Sequence, residues 1–378
     1  MELYIFEPTI STPIGIIDAF ISLQWIRRYY KSGEFDLIVP VTDDNVTILQ
    51  KGNLVWKKGE NEAGYIYYRH FSLSDTGQEQ LEVKGKFLTG YLSQRIIWDE
   101  MYLTGTAETV MRTLVNKNAI NPTITARTIP LLALGTLQEF TQTAIYQTPD
   151  AKRDNLADEL EVLSTAAELG HRITFDPVNN TLKFDIYAGL DRSTEQTQNV
   201  PAIFSREFEN VLTQEYTDSS DNLKNVALLN GTFKTGSGDT EVNTPVSVTA
   251  GAATGLDRYE EYIDGGTQSE STKDADGNPI TITQAQYESA LSDKGTADLS
   301  THQEIETFDS KIDINSNLIY KTDWDLGDIC PCLNQQWGVI VNARITEVTE
   351  VYEESGTTIT PTFGNNVPTL IDKIKSMR

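Results

Sequence analysis

Histidine, cysteine and basic charge are what this 378-residue chain has little of: three His, two Cys, and 30 Lys and Arg against 55 Asp and Glu. Each shortage removes a class of function. His70, His171 and His302 are far apart, and none sits in an H-E-x-x-H, an H-x-x-x-H or a Cys–His cluster, so the ligand spacings of hydrolytic and structural zinc sites are missing. His171 follows a glycine at the end of a predicted helix, where an imidazole more often answers the helix dipole than ligates a metal. Cys330 and Cys332 flank Pro331, too close to bridge without strain and without a second ligand pair nearby; they read as inert strand-edge thiols. No G-x-S-x-G elbow or Walker loop occurs, and Gly236-Ser237-Gly238 lacks the downstream glycine and strand–helix context of a dinucleotide loop. No cofactor, metal or catalytic residue is expected. The net charge of -25 argues against non-specific binding to nucleic acid or an anionic membrane. Met1 to Pro8 has neither a basic segment nor a sustained apolar run, so no secretory signal and no membrane insertion is expected, and the chain should fold in a cytoplasm.

What is present is ample core material. Hydrophobic residues make up 39% of a chain long enough for two or more domains. Up to about Trp98 the chain is strand-rich: Phe35 to Val41, Asn53 to Trp56, Gly64 to Phe71 and the alternating Leu81, Val83, Gly85, Phe87 are runs of β-branched and aromatic residues. Ala107, Val110, Met111, Leu114 and Val115 then fall at helical spacing behind Thr106 as N-cap. A second helix carries Leu156, Leu160, Leu163 and Ala167 on one face, with Asp154 as cap and Gly170 as its C-terminal stop. Arg172 to Asp176 and Thr181 to Tyr187 follow as a β-hairpin, closing a compact α/β unit.

Strands resume at Phe204-Ser205, Asn210 to Leu212 and Asn225 to Gly231. From Asp239 to Glu304 the composition changes, with 13 acidic residues against Arg258, Lys273 and Lys294. This segment opens at glycine hinges, has a small-residue stretch from Val246 to Gly255 that could not form a core alone, and carries a helix from Gln284 to Leu291 capped by Thr283. It reads as a solvent-facing insertion. Its Asp274-Ala275-Asp276-Gly277-Asn278 run looks like a calcium loop, but Pro279 stands where that loop needs glycine, and turn chemistry alone accounts for the residues.

The C-terminal stretch is the most informative. Gly327-Asp328 is a tight turn, and two long strands follow, joined at Glu354-Ser355-Gly356. Val339, Val341, Ala343 and Ile345 alternate with polar residues, as do Ile359, Pro361 and Phe363. Glu350, Glu353 and Glu354 read as the solvated end of a strand. The series G-D, A-R-I-T-E and T-P-T-F-G resembles the C-terminal barrel of phage tail-hub proteins. So, in order, do Gly85-Lys86-Phe87 with Arg95-Ile96-Ile97, Gly189-Leu190-Asp191-Arg192-Ser193, and Phe204-Ser205 with Asn210-Val211-Leu212, especially as in hub-like proteins of siphophages and prophages of Gram-positive bacteria.

That resemblance implies a mainly β fold with α/β parts: two hub-type β-barrel domains, one α/β domain between them and a small α/β insertion domain in the second barrel. The implied boundaries are 1–98 for the first barrel, 99–199 for the α/β domain, 200–235 with 305–365 for the second barrel, 236–304 for the acidic insertion and 366–378 for a tail. It further implies a structural virion component of the tail, assembled in the host cytoplasm as a homotrimer. Such a ring adapts a sixfold tube to a threefold tip, contacts distal tail or tail-tube protein and tail-tip or receptor-binding proteins, and lets DNA pass without specific binding. An acidic lumen would repel phosphate, and Asp43, Asp44, Glu215, Asp218 and Asp221 are the candidates to line it. The competing class is a cell-wall carbohydrate-binding or hydrolytic module. Such a module would gather exposed aromatics, whereas Trp25, Trp56, Trp98, Trp324 and Trp337 are dispersed through strand segments.

Overall fold

The computed structural model describes residues 1–10, 12–73, 77–148, 154–274, 276–313 and 316–364; the expected 366–378 tail and Ala275 lie outside them. In chain order the strands are β1 (Leu3–Phe6), β2 (Pro13–Ile17), β3 (Ser22–Arg28), β4 (Glu34–Pro40), β5 (Leu54–Lys57), β6 (Ala63–Leu73), β7 (Glu79–Phe87), β8 (Tyr102–Thr106), β9 (Leu132–Leu134), β10 (Thr143–Gln147), β11 (Gly170–Asp176), β12 (Thr181–Tyr187), β13 (Phe204–Ser205), β14 (Val211–Ser219), β15 (Val226–Thr235), β16 (Val242–Gly251), β17 (Glu260–Ser269), β18 (Ser271–Lys273), β19 (Pro279–Thr281), β20 (Ile305–Ile312), β21 (Ile329–Asn334), β22 (Val339–Glu353) and β23 (Gly356–Gly364). The helices are α1 (Asp43–Ile48), α2 (Ala107–Val115), α3 (Leu156–Ala167) and α4 (Gln284–Thr301). None of the described helices is long and apolar enough to cross a membrane. Two compact units result, one from residues 1–88, 188–221 and the described part of 304–378, the other from 89–187 and 222–303.

The first unit is built on one large sheet. Alternation in β3, β4 and β7 turns Leu23, Trp25, Phe35, Leu37, Val39, Leu81, Val83 and Phe87 onto a single core face. Trp25 stacks on Phe35 at 5.8 Å and lies 4.6 Å from Phe87 between ring centres. Gly64 and Gly85 make room for the Phe35 ring: a Cβ at Gly85 would stand 2.0 Å from it.

The two expected barrels do not appear as closed barrels. Among the described residues the strand path runs β14, β20, β23, β22, β3, β4, β7, β6, β5, β1, β2 and does not close, with β13 and β21 attached through β22. The reason lies in β22, whose 15 residues outrun any one partner. Its first half pairs with β21, and its second half lies between β23 and β3, so strands expected in separate barrels are hydrogen-bonded into one sheet. A bulge between Ile345 and Glu347 lets the strand serve both settings by switching which parity is buried: Ala343 and Ile345 before it, Val348 and Glu350 after it.

In the second unit, α2 starts where the sequence predicts, with the Thr109 N–H donating to the Thr106 hydroxyl at 3.2 Å. For α3 both ends shift. Asn155, not Asp154, is the cap and accepts from the Ala157 N–H at 2.9 Å, and Glu168 takes the left-handed conformation at the C-terminus (φ 55°), which frees Gly170 to begin β11. The β11–β12 hairpin forms as read, with β9 added parallel to β12.

Asn225 to Gly231 is a strand, but not one of the large sheet. As β15 it pairs antiparallel with β16 and parallel with β17, and α4 covers that sheet. The small-residue stretch therefore does contribute to a core: Val246 and Ala250 join Ala227, Leu229, Phe233, Tyr287, Leu291, Leu299 and Tyr102. The capping box of Thr283 and Gln286 starts α4 as predicted, yet the helix runs on to Thr301 through Gly295. Gly295 is needed there because a Cβ would meet Leu229 Cδ1 at 2.6 Å and the Ala250 Cβ at 2.7 Å. The helix thus lies close on its sheet and continues past Leu291, where the sequence pattern ends it.

Candidate functional site

Three features of the first unit bear on function: a buried ionic cluster, a junction of distant motifs, and two acidic, one-sided sheet ends.

The cluster corrects the reading of Glu350. That side chain is 1% exposed and forms ion pairs with Lys57, itself 5% exposed, and with Lys321 at 3.7 Å. The Tyr320 hydroxyl donates to its other oxygen at 3.0 Å, and Tyr352 donates as well. Burial pushes the Glu350 carboxyl up, but the charges of Lys57 and Lys321 and these hydrogen bonds outweigh it, and its pKa falls below the usual value. Burial and the facing Glu350 carboxylate push Tyr352 up, so it keeps its proton and remains a donor. Arg27 extends the cluster to Tyr320 at 2.9 Å, Asp325 at 2.7 Å and Glu62 at 3.5 Å. The network ties β3 and β5 to β22 and to the 320–325 loop. Sequence alternation alone exposes Glu350; only the bulge at 345–347, invisible in the pattern, turns it inward.

The second feature brings together motifs nearly 140 residues apart. A Cβ on Gly189 would fall 2.0 Å from the Gly327 carbonyl carbon, so the two glycines touch backbone to backbone. Gly327, at φ 95°, lies against the Tyr29 ring. Asp328 accepts the Leu190 N–H at 2.7 Å and the Arg192 Nε–H at 2.7 Å. Phe204 rests on Trp324 and Phe363 at 5.4 and 4.9 Å, and Asn210 holds the chain around it through the Ser205 N–H and the Ile203 carbonyl. The segments G-L-D-R-S, F-S, N-V-L, G-D and T-F-G are therefore one structural junction of side chains used in packing and hydrogen bonding.

The sheet ends are β2 and β14, each hydrogen-bonded on one side only among the described residues. β2 exposes Ile14 and Ile16, and β14 exposes Leu212. Asp43 and Asp44 are exposed in the first turn of α1, which packs on β2; Glu215 and Asp218 are exposed on β14, and Asp221 just beyond it. The five candidate acids are thus not gathered within one chain but lie at opposite ends of the strand path. Across the β14–β20 ladder Glu215 faces Asp309 and Asp218 faces Glu306, like charges directly opposite. Burial, with Glu215 and Glu347 adding to it, raises the Asp309 carboxyl.

His70, His171 and the two cysteines are structural or peripheral. His171 is buried, bonded to the Ser164 hydroxyl at 2.6 Å, and its pKa is lowered by burial to about 4, so it is a neutral core imidazole and not a helix-dipole partner. His70 is exposed on β6. Cys330 and Cys332 are free and buried in β21, which has β13 on one side and β22 on the other; they are not at a strand edge, and burial raises both thiols. Trp25 and Trp324 are core, whereas Trp98 and Trp337 are about half exposed. Asp274 accepts the backbone N–H groups of Asp276 and Asn278, a turn-stabilising arrangement.

Solved structures similar in fold include tail proteins of prophages. A 43 kDa tail protein of prophage MuSo2 from Shewanella oneidensis aligns with a TM-score of 0.55 and 14% identity over 96% of this chain and 98% of that one. A tail protein from Neisseria meningitidis MC58 gives 0.55 and 12% over 96% and 95%, and prophage tail protein gp18 from Listeria monocytogenes EGD-e gives 0.50 and 11% over 100% and 98%. No curated protein matches the sequence. Residues 2–365 match the Siphovirus ReqiPepy6 Gp37-like proteins, and the chain belongs to that family.

Proposed function

We propose that the chain is a structural hub of a phage tail: a homotrimeric ring at the distal end of the tail tube that adapts the sixfold tube to a threefold tip and lets DNA through. The observation that carries this reading is the pair of one-sided sheet ends in a fold shared end to end with prophage tail proteins. A sheet edge left open invites pairing with another chain. When the β2 end of one copy meets the β14 end of the next, the contact is head to tail, and such contacts close into a ring if the rotation permits. Tube protein and tail-tip or receptor-binding proteins would flank the ring in the virion tail. With β14 facing the axis, the acids of the two ends stand on either side of each subunit boundary, where their repulsion opposes closure at low salt and presents to DNA a surface that repels phosphate. Glu215 against Asp309 and Asp218 against Glu306 cost some stability and concentrate negative potential on this ladder.

Light scattering at moderate salt and high protein concentration tests the assembly. A mass near three times 42.2 kDa is expected for the native chain, and monomers for Ile14→Lys with Ile16→Lys. A twofold dimer would contradict the ring. Binding of cell-wall polysaccharide by a monomer would favour the carbohydrate-module reading instead.

A further inference from the structure

The second unit contains a group of ligand-type side chains that the tail reading does not use. Asp298 and His302 lie one turn apart on α4 and its C-terminal cap, hence on one face of the helix. Glu261 projects from β17. One carboxylate oxygen from each acid and a ring nitrogen of His302 all lie within 4.8 Å of one another. Glu261 Oε2 stands 3.5 Å from His302 Nδ1, while its Oε1 is buried with no hydrogen-bond partner. A simple Glu–His ion pair accounts for Oε2 only. It leaves a desolvated oxygen unanswered and a second carboxylate beside it, and buried polar atoms without partners are rare.

We propose that Glu261, Asp298 and His302 bind a divalent transition-metal ion of the zinc class, with water completing the coordination. The imidazole nitrogen beside two carboxylate oxygens selects zinc, cobalt or nickel over calcium and magnesium, which prefer all-oxygen sites. The position suggests a purpose. The Lys224 N–H donates to the His302 carbonyl at 2.8 Å, so the two ends of the 222–303 segment meet beside this site. An ion held by β17 and the end of α4 would lock that base. This inference does not depend on trimer formation.

The test uses the full chain stripped with a chelator and titrated with zinc chloride by calorimetry, with cobalt chloride absorption as a second readout. One ion per chain, a raised Tm with zinc, and visible cobalt bands are expected, with magnesium giving none of these. Asp298→Asn, Glu261→Gln and His302→Gln should each weaken zinc binding at least tenfold and remove the Tm rise. The His302 side chain, at the end of α4, is 23% exposed against 14% for Glu261, so His302→Gln decides the matter if the Glu261→Gln variant does not fold. Absence of zinc binding by the native chain, unchanged binding by folded variants, or equal binding of magnesium would each overturn the proposal.

Discussion

Lys57 and Glu350 illustrate how much a single pair can hold in a chain whose first unit is assembled from distant segments. Removing Lys57 leaves the Glu350 carboxylate buried with only Lys321, at 3.7 Å, as an ion partner, and breaking a buried pair costs about 3 kcal/mol or more, whereas replacing both partners with apolar residues of similar size is often neutral. Lys57→Met should therefore lower stability by about that amount, and Lys57→Met with Glu350→Leu should recover most of it; denaturant unfolding measures both. Equal losses in the single and the double variant would mean that the pair is not the connection described. A second residue-scale prediction concerns acid. His171 has its pKa lowered from 6.5 to about 4, so the stability from its neutral form is fully present above pH 6.5 and is lost as pH falls through about 4. Between pH 7 and 5 the native chain should lose about 2 kcal/mol that a folded His171→Gln variant does not lose. Parallel pH profiles would remove His171 as the cause. Neither residue was legible in the sequence: Glu350 was hidden by a bulge that reverses strand parity, and His171 by a helix that stops before its glycine.

Strands and caps were read well where a local signal decides them. The Thr106 and Thr283 caps, the 172–187 hairpin and the turn at 354–356 rest on hydrogen bonds among near neighbours, and the predicted positions hold. Pairing across the chain was not legible. Nothing in Val226 to Thr235 says that its partners are β16 and β17 rather than the strands of the large sheet, because both settings bury the same alternating residues. The acidic β14–β20 ladder likewise becomes visible only when register is known. It yields a prediction for the element: Glu215→Lys, placed opposite Asp309, should stabilise the chain by about 0.5 kcal/mol at low salt, with the gain shrinking as salt rises. A destabilised variant would mean that Glu215 makes a favourable contact that the register does not reveal.

At the scale of the whole molecule, the two units interleave in sequence, yet the connections are short where it matters. Ser219 on β14 pairs with Ile305 on β20, so the chain leaves the large sheet and returns to it at adjacent positions. Replacing 222–303 by a tight turn converts β14 and β20 into an ordinary hairpin and should leave the first unit folded. Deleting 236–304 alone, which composition marks as a self-contained insertion, removes both partners of β15 and exposes Ala227, Leu229 and Phe233. The shorter deletion should therefore be the less soluble one, a reversal of what chain composition suggests, and expression of the two deletion variants side by side checks it.

The central claim, that copies of this chain close into a threefold ring through their sheet ends, is tested most directly by electron-microscope imaging of the purified protein. Class averages with threefold symmetry and an open centre are predicted for the native chain, and dispersed single particles for the Ile14→Lys, Ile16→Lys variant. Native particles with twofold symmetry, or rings that persist in the variant, would contradict the account.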